Sequence, residues 1–318
     1  MIDFLIHYNQ AMATNHSLSG VYAAALTPLF ADQSLAKEDV TKLLDFLARR
    51  GCHGVLLSGT TGEGPSFSAF EKIELWKTSL SIRKSHPKFR LLAGTGTPSL
   101  DETIDLTRTA FDLGMDGVVV LPPYFYRNAT EEGLFAWYNQ VLLKAVPAGG
   151  FLFVYHIPQV TGVSLTLELF ARLKDAYPER FAGLKDSSGN PEHSRQLGEK
   201  FGKDLCVFTG NDRLFTTAMR NQASGCITYL ANIRSQDLRL VWDAFERNEE
   251  EKEAQSRLDT ARAIVDKYQP AAPSIKALIA RLYHFRRWAV RPPLVPISEE
   301  CEKSLLDELI NAGFTSAR

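Results

Sequence analysis

The sequence predicts an α/β protein: a (β/α)8 (TIM) barrel followed by a C-terminal helical region. Three observations carry this expectation. From about Gly20 a unit of roughly 25 to 35 residues recurs, made of a short apolar run, a loop rich in Gly, Pro, Thr and Ser, and an amphipathic stretch of helix length. The unit repeats eight times, which suits a closed barrel better than an open sheet. No G-x-G-x-x-G follows the first run, which weakens a dinucleotide-binding alternative.

The eight expected strands are Val21 to Leu26, Gly54 to Ser58, Leu91 to Gly94, Gly117 to Leu121, Phe151 to Tyr155, Ala182 to Lys185, Leu205 to Thr209 and Gly225 to Tyr229. Between them helical periodicity marks Glu38 to Arg50, Ala69 to His86, Asp101 to Leu113, Glu131 to Ala145, Thr166 to Ala176, Pro191 to Phe201 and Leu214 to Arg220. Asp101 and Thr130 are the expected N-caps, and Gly51 and Gly114 stand where a left-handed residue closes a helix. After the eighth strand come Ser235 to Arg247, Glu250 to Tyr268, Ser274 to Arg286 and Ser298 to Ala312. The charge-rich Glu249 to Glu253 reads as a solvated helix start. No low-complexity linker precedes these helices, so they are expected to pack on the barrel. The division expected is an N-terminal extension over 1–19, a barrel over 20–234 and C-terminal helices over 235–318.

The 36 Lys and Arg against 37 Asp and Glu give a formal net charge of −1. Nucleic acid and membrane surfaces both call for a clear cationic excess, so the partner expected is a small molecule. Cys52, Cys206, Cys226 and Cys301 lie far apart without a C-x-x-C pair, which suits buried thiols in a reducing cytoplasm rather than disulfides or zinc. The Ile2 to Tyr8 run lacks a basic lead-in and is too short for a signal segment, so it reads as a helical or frayed extension. No apolar run approaches membrane-spanning length.

In this barrel class reactive groups stand at the C-terminal ends of strands. Those positions hold Ser58 to Gly64, Pro122 to Tyr126, Tyr155 to Pro158, Lys185 to Ser188, and Gly210 to Asp212. Lys185 ends a run that should be buried, and a buried ammonium is costly unless it is paired. It is therefore either ion-paired, with Asp186 or Glu63 as the near acids, or a neutral nucleophile. In water a lysine amine titrates near ~10.4, so the barrel would have to lower that value by desolvation. A neutral lysine can condense with a ketone to an iminium, which activates the neighbouring carbon of a 2-oxo acid. Tyr155, one strand over, is placed to move the proton. Gly59-Thr60-Thr61-Gly62 offers hydroxyls and a turn whose amides can converge on a carboxylate. It is not a P-loop, since no Gly-Lys-Ser/Thr follows. His156 and the other six histidines show no partner at metal-ligand spacing, so they are expected to be structural or exposed.

Gly59-Thr60-Thr61-Gly62-Glu63, Tyr155-His156-Ile157-Pro158 with Thr161-Gly162, and Gly183-Leu184-Lys185-Asp186-Ser187-Ser188-Gly189 together resemble the three signatures of the dihydrodipicolinate synthase / N-acetylneuraminate lyase family. The resemblance runs from about Gly20 through the C-terminal helices. It implies that Lys185 is the Schiff-base lysine and Tyr155 the central relay. It also implies that Thr60 and Thr61 bind the pyruvate-derived carboxylate and that Gly210 and Ile227 line the pocket. No cofactor is implied, and the assembly implied is a homotetramer built from dimers. Three departures matter. Val160 stands where the synthase proper has an arginine for its second substrate. Phe125, without a hydroxyl, falls on the family's second relay tyrosine, with Tyr124 and Tyr126 as neighbours that could substitute. Gly62-Glu63-Gly64-Pro65-Ser66 is more similar to the 2-keto-3-deoxy sugar acid aldolases than to the synthase, which usually has serine at the Gly64 position. His156, where the family usually has asparagine, points weakly the same way. The function expected is a class I aldolase acting on such a 2-oxo acid. The alternatives are 4-hydroxy-tetrahydrodipicolinate synthase and a non-catalytic 2-oxo acid binder.

Overall fold

The computed structural model describes residues 17–314. The Ile2 to Tyr8 run lies outside the described residues. Eight parallel strands close into a barrel in sequence order: β1 (Gly20–Ala24), β2 (Gly54–Leu57), β3 (Arg90–Gly94), β4 (Gly117–Val120), β5 (Leu152–His156), β6 (Phe181–Asp186), β7 (Cys206–Thr209) and β8 (Gly225–Thr228), with β8 pairing back to β1. All eight expected strands are present, with ends displaced by one or two residues.

The outer layer is α1 (Lys37–Arg49), α2 (Ala69–Ser79), α3 (Leu100–Asp112), α4 (Glu131–Ala145), the short α5 (Pro158–Thr161), α6 (Leu167–Ala176), α7 (Pro191–Phe201) and α8 (Phe215–Arg220). Then follow α9 (Ala231–Glu246), α10 (Lys252–Val265), α11 (Ala271–Tyr283) and α12 (Glu299–Asn311). Thr130 caps α4 as expected, its hydroxyl accepting from the Gly133 amide at 3.2 Å. Asp101 does not cap α3; that helix starts one residue earlier and Ser99 takes the role, accepting from Glu102 at 3.4 Å. The expected single helix over Ala69 to His86 stops at Ser79 and continues as a tighter 3₁₀ segment to Lys84. Gly51 and Gly114 do close their helices, at φ +95° and +84°. Cys52, Cys206 and Cys226 are buried, whereas Cys301 is exposed in the first turn of α12, on that helix's solvent side. Among the described residues no helix is long and apolar enough to cross a membrane.

Alternation along the strands divides the core into two clusters. Val21, Val55, Leu91, Val118, Val154 and Val207 face the helices. Tyr22, Leu56, Leu92, Val119, Phe153, Tyr155, Phe208 and Ile227 fill the barrel interior. The strand β6 breaks this rhythm. Leu152 pairs with Phe181, but Phe153 pairs with Gly183, so Ala182 is the extra residue of a bulge. Ala182 faces the interior and Leu184 faces the helices, so Lys185 turns inward again, opposite Tyr155. Gly183 sits at φ +150°, and a Cβ there would come 2.0 Å from the Cys206 carbonyl oxygen, so the bulge admits only glycine.

Candidate active site

Lys185 enters the interior near the C-terminal end of β6, where it is 3 % exposed, and its Nζ lies 4.1 Å from the centre of the Tyr155 ring. Tyr155, from the facing position on β5, is 4 % exposed. Burial pushes its phenol up, but the Lys185 charge and hydrogen bonds from Thr60, Ser187 and Lys185 outweigh it, so the group lies below the ordinary tyrosine range. A phenol so placed gives up its proton more readily than one in water.

Both acids that could have paired with Lys185 are occupied elsewhere. Glu63 accepts from Lys276 at 2.5 Å and Asp186 from His156 at 3.0 Å. Among the described residues no carboxylate stands at ion-pair distance from Lys185. The amine is therefore enclosed, in contact with a phenol, and free of a counter-charge.

The turn after β2 brings Gly59 and Thr60 to one narrow cleft with Tyr155, Gly96 and Leu121, and Thr61 follows half-buried in the same turn. Gly62 and Gly64 are required by crowding: a Cβ would come 2.7 Å from the Ala25 oxygen at Gly62 and 1.9 Å from the Ser58 oxygen at Gly64. Gly210 follows β7, donates its amide to the Asp186 carbonyl at 2.6 Å, and leaves no room for a Cβ beside the Ser187 hydroxyl. Ile227 is fully buried in the interior cluster. The loop after β4 behaves differently. Phe125 and Tyr126 are 75 % and 70 % exposed, their rings packed edge to face on one another. Tyr124 is half-buried, with its phenol raised by burial and by the Glu102 charge.

Two groups escaped the sequence reading. Lys72, on the buried side of α2, lines the same cleft, and burial lowers its amine. A cation on the apolar face of an amphipathic helix was the available signal. The second is the surrounding of His156, which is not without partners. Its Nδ1 meets Asp186 Oδ1 at 3.0 Å, and its ring packs against His193 of α7 at 4.9 Å between centres. One ligand atom from each of His156, Asp186 and His193 lies within 4.8 Å of the others, so the expectation of no partner at metal-ligand spacing is corrected. The residues are brought together by strand pairing and a helix start, which sequence spacing does not reveal. Asp186 is already satisfied, accepting from His156, from the Ser188 amide at 3.0 Å and from the Ser188 hydroxyl at 3.0 Å. His156 and Asp186 thus form a hydrogen-bonded pair on the outer side of the barrel with the His193 ring packed on His156, and His156 Nε2 and His193 Nε2 are buried without a hydrogen-bond partner.

A groove of about 350 Å³ elsewhere, between α8, α9 and α10, holds none of the expected site residues. Its charges pair among themselves, Glu250 with Arg220 at 2.5 Å and with Lys252 at 2.9 Å.

Comparison with known proteins gives the family. The model of the dihydrodipicolinate synthetase family matches residues 17–312. An uncharacterized DapA-like lyase of Chloroflexus aurantiacus is 39 % identical over 300 residues, covering 93 % of this chain and 98 % of the relative. A 4-hydroxy-tetrahydrodipicolinate synthase of Kosmotoga olearia is 31 % identical over 231 residues, 71 % of this chain and 76 % of that one. The crystal structure of dihydrodipicolinate synthase from Agrobacterium tumefaciens superposes with a TM-score of 0.83 at 29 % identity, covering 92 % of this chain and 98 % of that chain. With the barrel, the interior lysine and tyrosine, and a family match over nearly all its length, this chain belongs to the dihydrodipicolinate synthetase family of lyases and aldolases.

Proposed function

We propose that this protein is a Schiff-base-forming carbon–carbon lyase, a class I aldolase, that cleaves a pyruvate-derived 2-oxo acid of the 2-keto-3-deoxy sugar acid type. The observation that carries the reading is the enclosed Lys185 amine, without a carboxylate partner and in contact with Tyr155. The unprotonated amine attacks the C2 carbonyl. Tyr155 carries one proton from nitrogen to the oxygen and then gives up its own phenolic proton to it, so that water leaves, an iminium remains and Tyr155 is left as the phenolate. The iminium draws electrons from the C3–C4 bond. That bond breaks as the C4 hydroxyl gives up its proton to the Tyr155 phenolate, releasing an aldehyde and leaving an enamine. Protonation at C3 and hydrolysis return pyruvate and Lys185. Thr60 and Thr61, with the amides of their turn, hold the carboxylate throughout.

Two features support a sugar acid over the aspartate semialdehyde of the synthase. Val160 offers no charge for a second carboxylate, and it is 59 % exposed. Position 64 excludes any side chain in this turn, so the departure from the synthase's usual serine extends to the backbone. We take the assembly to be a homotetramer built from dimers. The two exposed rings of Phe125 and Tyr126 support burial of that loop against a second copy.

Borohydride reduction in the presence of pyruvate tests the reading. The expected result is one reduced adduct, on the Lys185 peptide, and an unmodified peptide overturns it. Cleavage of 2-keto-3-deoxygluconate is expected to exceed condensation of pyruvate with aspartate semialdehyde. The opposite ranking assigns the chain to the synthase activity, and pyruvate-dependent stabilisation without turnover assigns it to a binder.

A further inference from the structure

The turn that carries Thr60 and Thr61 is held in a conformation its own sequence does not favour. Ser58 and Glu63 both adopt left-handed backbone, at φ +55° and +58°, which is unfavourable for residues with a side chain. The Glu63 and Gly64 amides close the turn on the Thr60 and Gly59 carbonyls at 3.1 and 3.0 Å, and the Thr27 hydroxyl donates to the Gly62 carbonyl at 2.6 Å. At the end of this turn Glu63 points away from the barrel interior into the C-terminal region. Its Oε1 accepts from Lys276 of α11 at 2.5 Å and its Oε2 from the Arg291 amide at 2.8 Å. Lys276 also donates to the Ala289 carbonyl at 2.6 Å, and the Arg291 guanidinium holds both oxygens of Glu71 at 2.8 Å.

The side chains of Lys276 and Glu63 are 1 % and 0 % exposed. Burying two charges so completely is a poor route to stability, since an apolar pair of similar volume commonly does as well or better. A buried pair does fix geometry, because every alternative position of either group leaves a charge unpaired. This pair joins residues 213 positions apart and fastens the strained end of the turn whose Thr60 hydrogen-bonds Tyr155.

We propose that the buried Lys276–Glu63 pair is the positioning device of the carboxylate grip. It lets the C-terminal helices hold the Gly59–Gly64 turn where Thr60 reaches both Tyr155 and the substrate carboxylate. The proposal rests on the Schiff-base reading above. Neither Lys276 nor Glu63 touches the substrate. Their effect passes through the turn, and the grip is equally engaged in the bound substrate and in the transition state. Loosening it therefore raises KM more than it lowers kcat.

The test uses the full chain and the double variant Glu63→Gln/Lys276→Met, which removes both charges and leaves neither unpaired. Glu63→Asp, which keeps the charges but shortens the reach by one methylene, is the second variant. Each is expected to raise KM for 2-keto-3-deoxygluconate, and the pyruvate concentration giving half-maximal borohydride adduct on Lys185, by about tenfold or more, with kcat changed less. A merely structural pair lowers the unfolding temperature and leaves KM unaltered, and that outcome in a folded variant overturns the proposal. If the double variant does not fold, Glu63→Asp decides by the same two readouts. If the parent enzyme itself gives no adduct, the Schiff-base reading fails separately. Pyruvate-dependent thermal stabilisation then decides for the pair: lost in the variants it upholds the positioning role, retained it refutes it.

Discussion

Replacing Tyr155 by phenylalanine removes one oxygen and leaves the ring that Lys185 approaches to 4.1 Å. Packing in the barrel interior is kept, so the change isolates the phenol. Proton transfer by a positioned group contributes about 10²–10⁴ in rate, or about 3–5 kcal/mol of barrier. That loss is expected in kcat for 2-keto-3-deoxygluconate cleavage. Stability should fall as well, by at most about 3 kcal/mol. Thr60, Ser187 and Lys185 each lose a partner, at about 1 kcal/mol per hydrogen bond, against a smaller cost of burying the ring without its polar end. The unfolding temperature should fall by about 2–4 °C for each kcal/mol so lost. Stopped assays of pyruvate release give kcat, and borohydride trapping reports the imine step separately. Trapping is expected to slow with cleavage, because the same phenol serves both proton transfers. A kcat within about threefold of the parent, beneath the smallest relay contribution, refutes the assignment of Tyr155.

Two further expectations follow from the geometry. Gly210→Ala places a methyl 1.9 Å from the present Ser187 hydroxyl, which itself hydrogen-bonds Tyr155, so displacement of Ser187 should cost about 10²-fold in kcat/KM without loss of fold; parental kcat/KM by steady-state assay would show that Ser187 is dispensable. His53 accepts the Val21 amide at 2.9 Å through Nδ1, and burial, aided by the Arg239 charge and opposed by Asp243, lowers its imidazole from the ordinary 6.5 to about 4. Between those values the unfolded chain holds a proton that the folded chain lacks, so stability present above pH 6.5 is lost as pH falls toward 4, by up to about 3 kcal/mol. Thermal melts of the parent and of His53→Asn at pH 7 and 4.5 measure it, and equal pH slopes in the two proteins contradict the role given to His53.

The barrel was legible because each strand is an apolar run fenced by turn-forming residues, and each helix shows its own period. Boundaries were less so where two start signals compete, as Ser99 and Asp101 do before α3. Lys185, Tyr155 and Thr60 were legible because strand ends can be read from the chain, and strand ends are where the interior opens. What lies across the fold was not. Nothing in the periodicity of α11 says that Lys276 reaches Glu63, and His193 looks like any polar residue of a helix start until α7 is laid against β5 and β6. Lys72 was hidden for a different reason. Its neighbours Leu75 and Trp76 mark a buried face, and a cation there reads as an interruption rather than as a lining group.

The extra residue at Ala182 acts on β6 as a half-step in phase. Continued without the bulge from the Leu152–Phe181 pair, with Ala182 paired to Phe153, the ladder would bring Leu184 opposite Tyr155 and turn the amine toward the helices. Chemistry in this protein therefore depends on a backbone count as much as on a side chain. Pairing Ala182 as an ordinary ladder residue, with the bulge ironed out, would leave Lys185 and Tyr155 both in the sequence yet on opposite sides of the barrel wall.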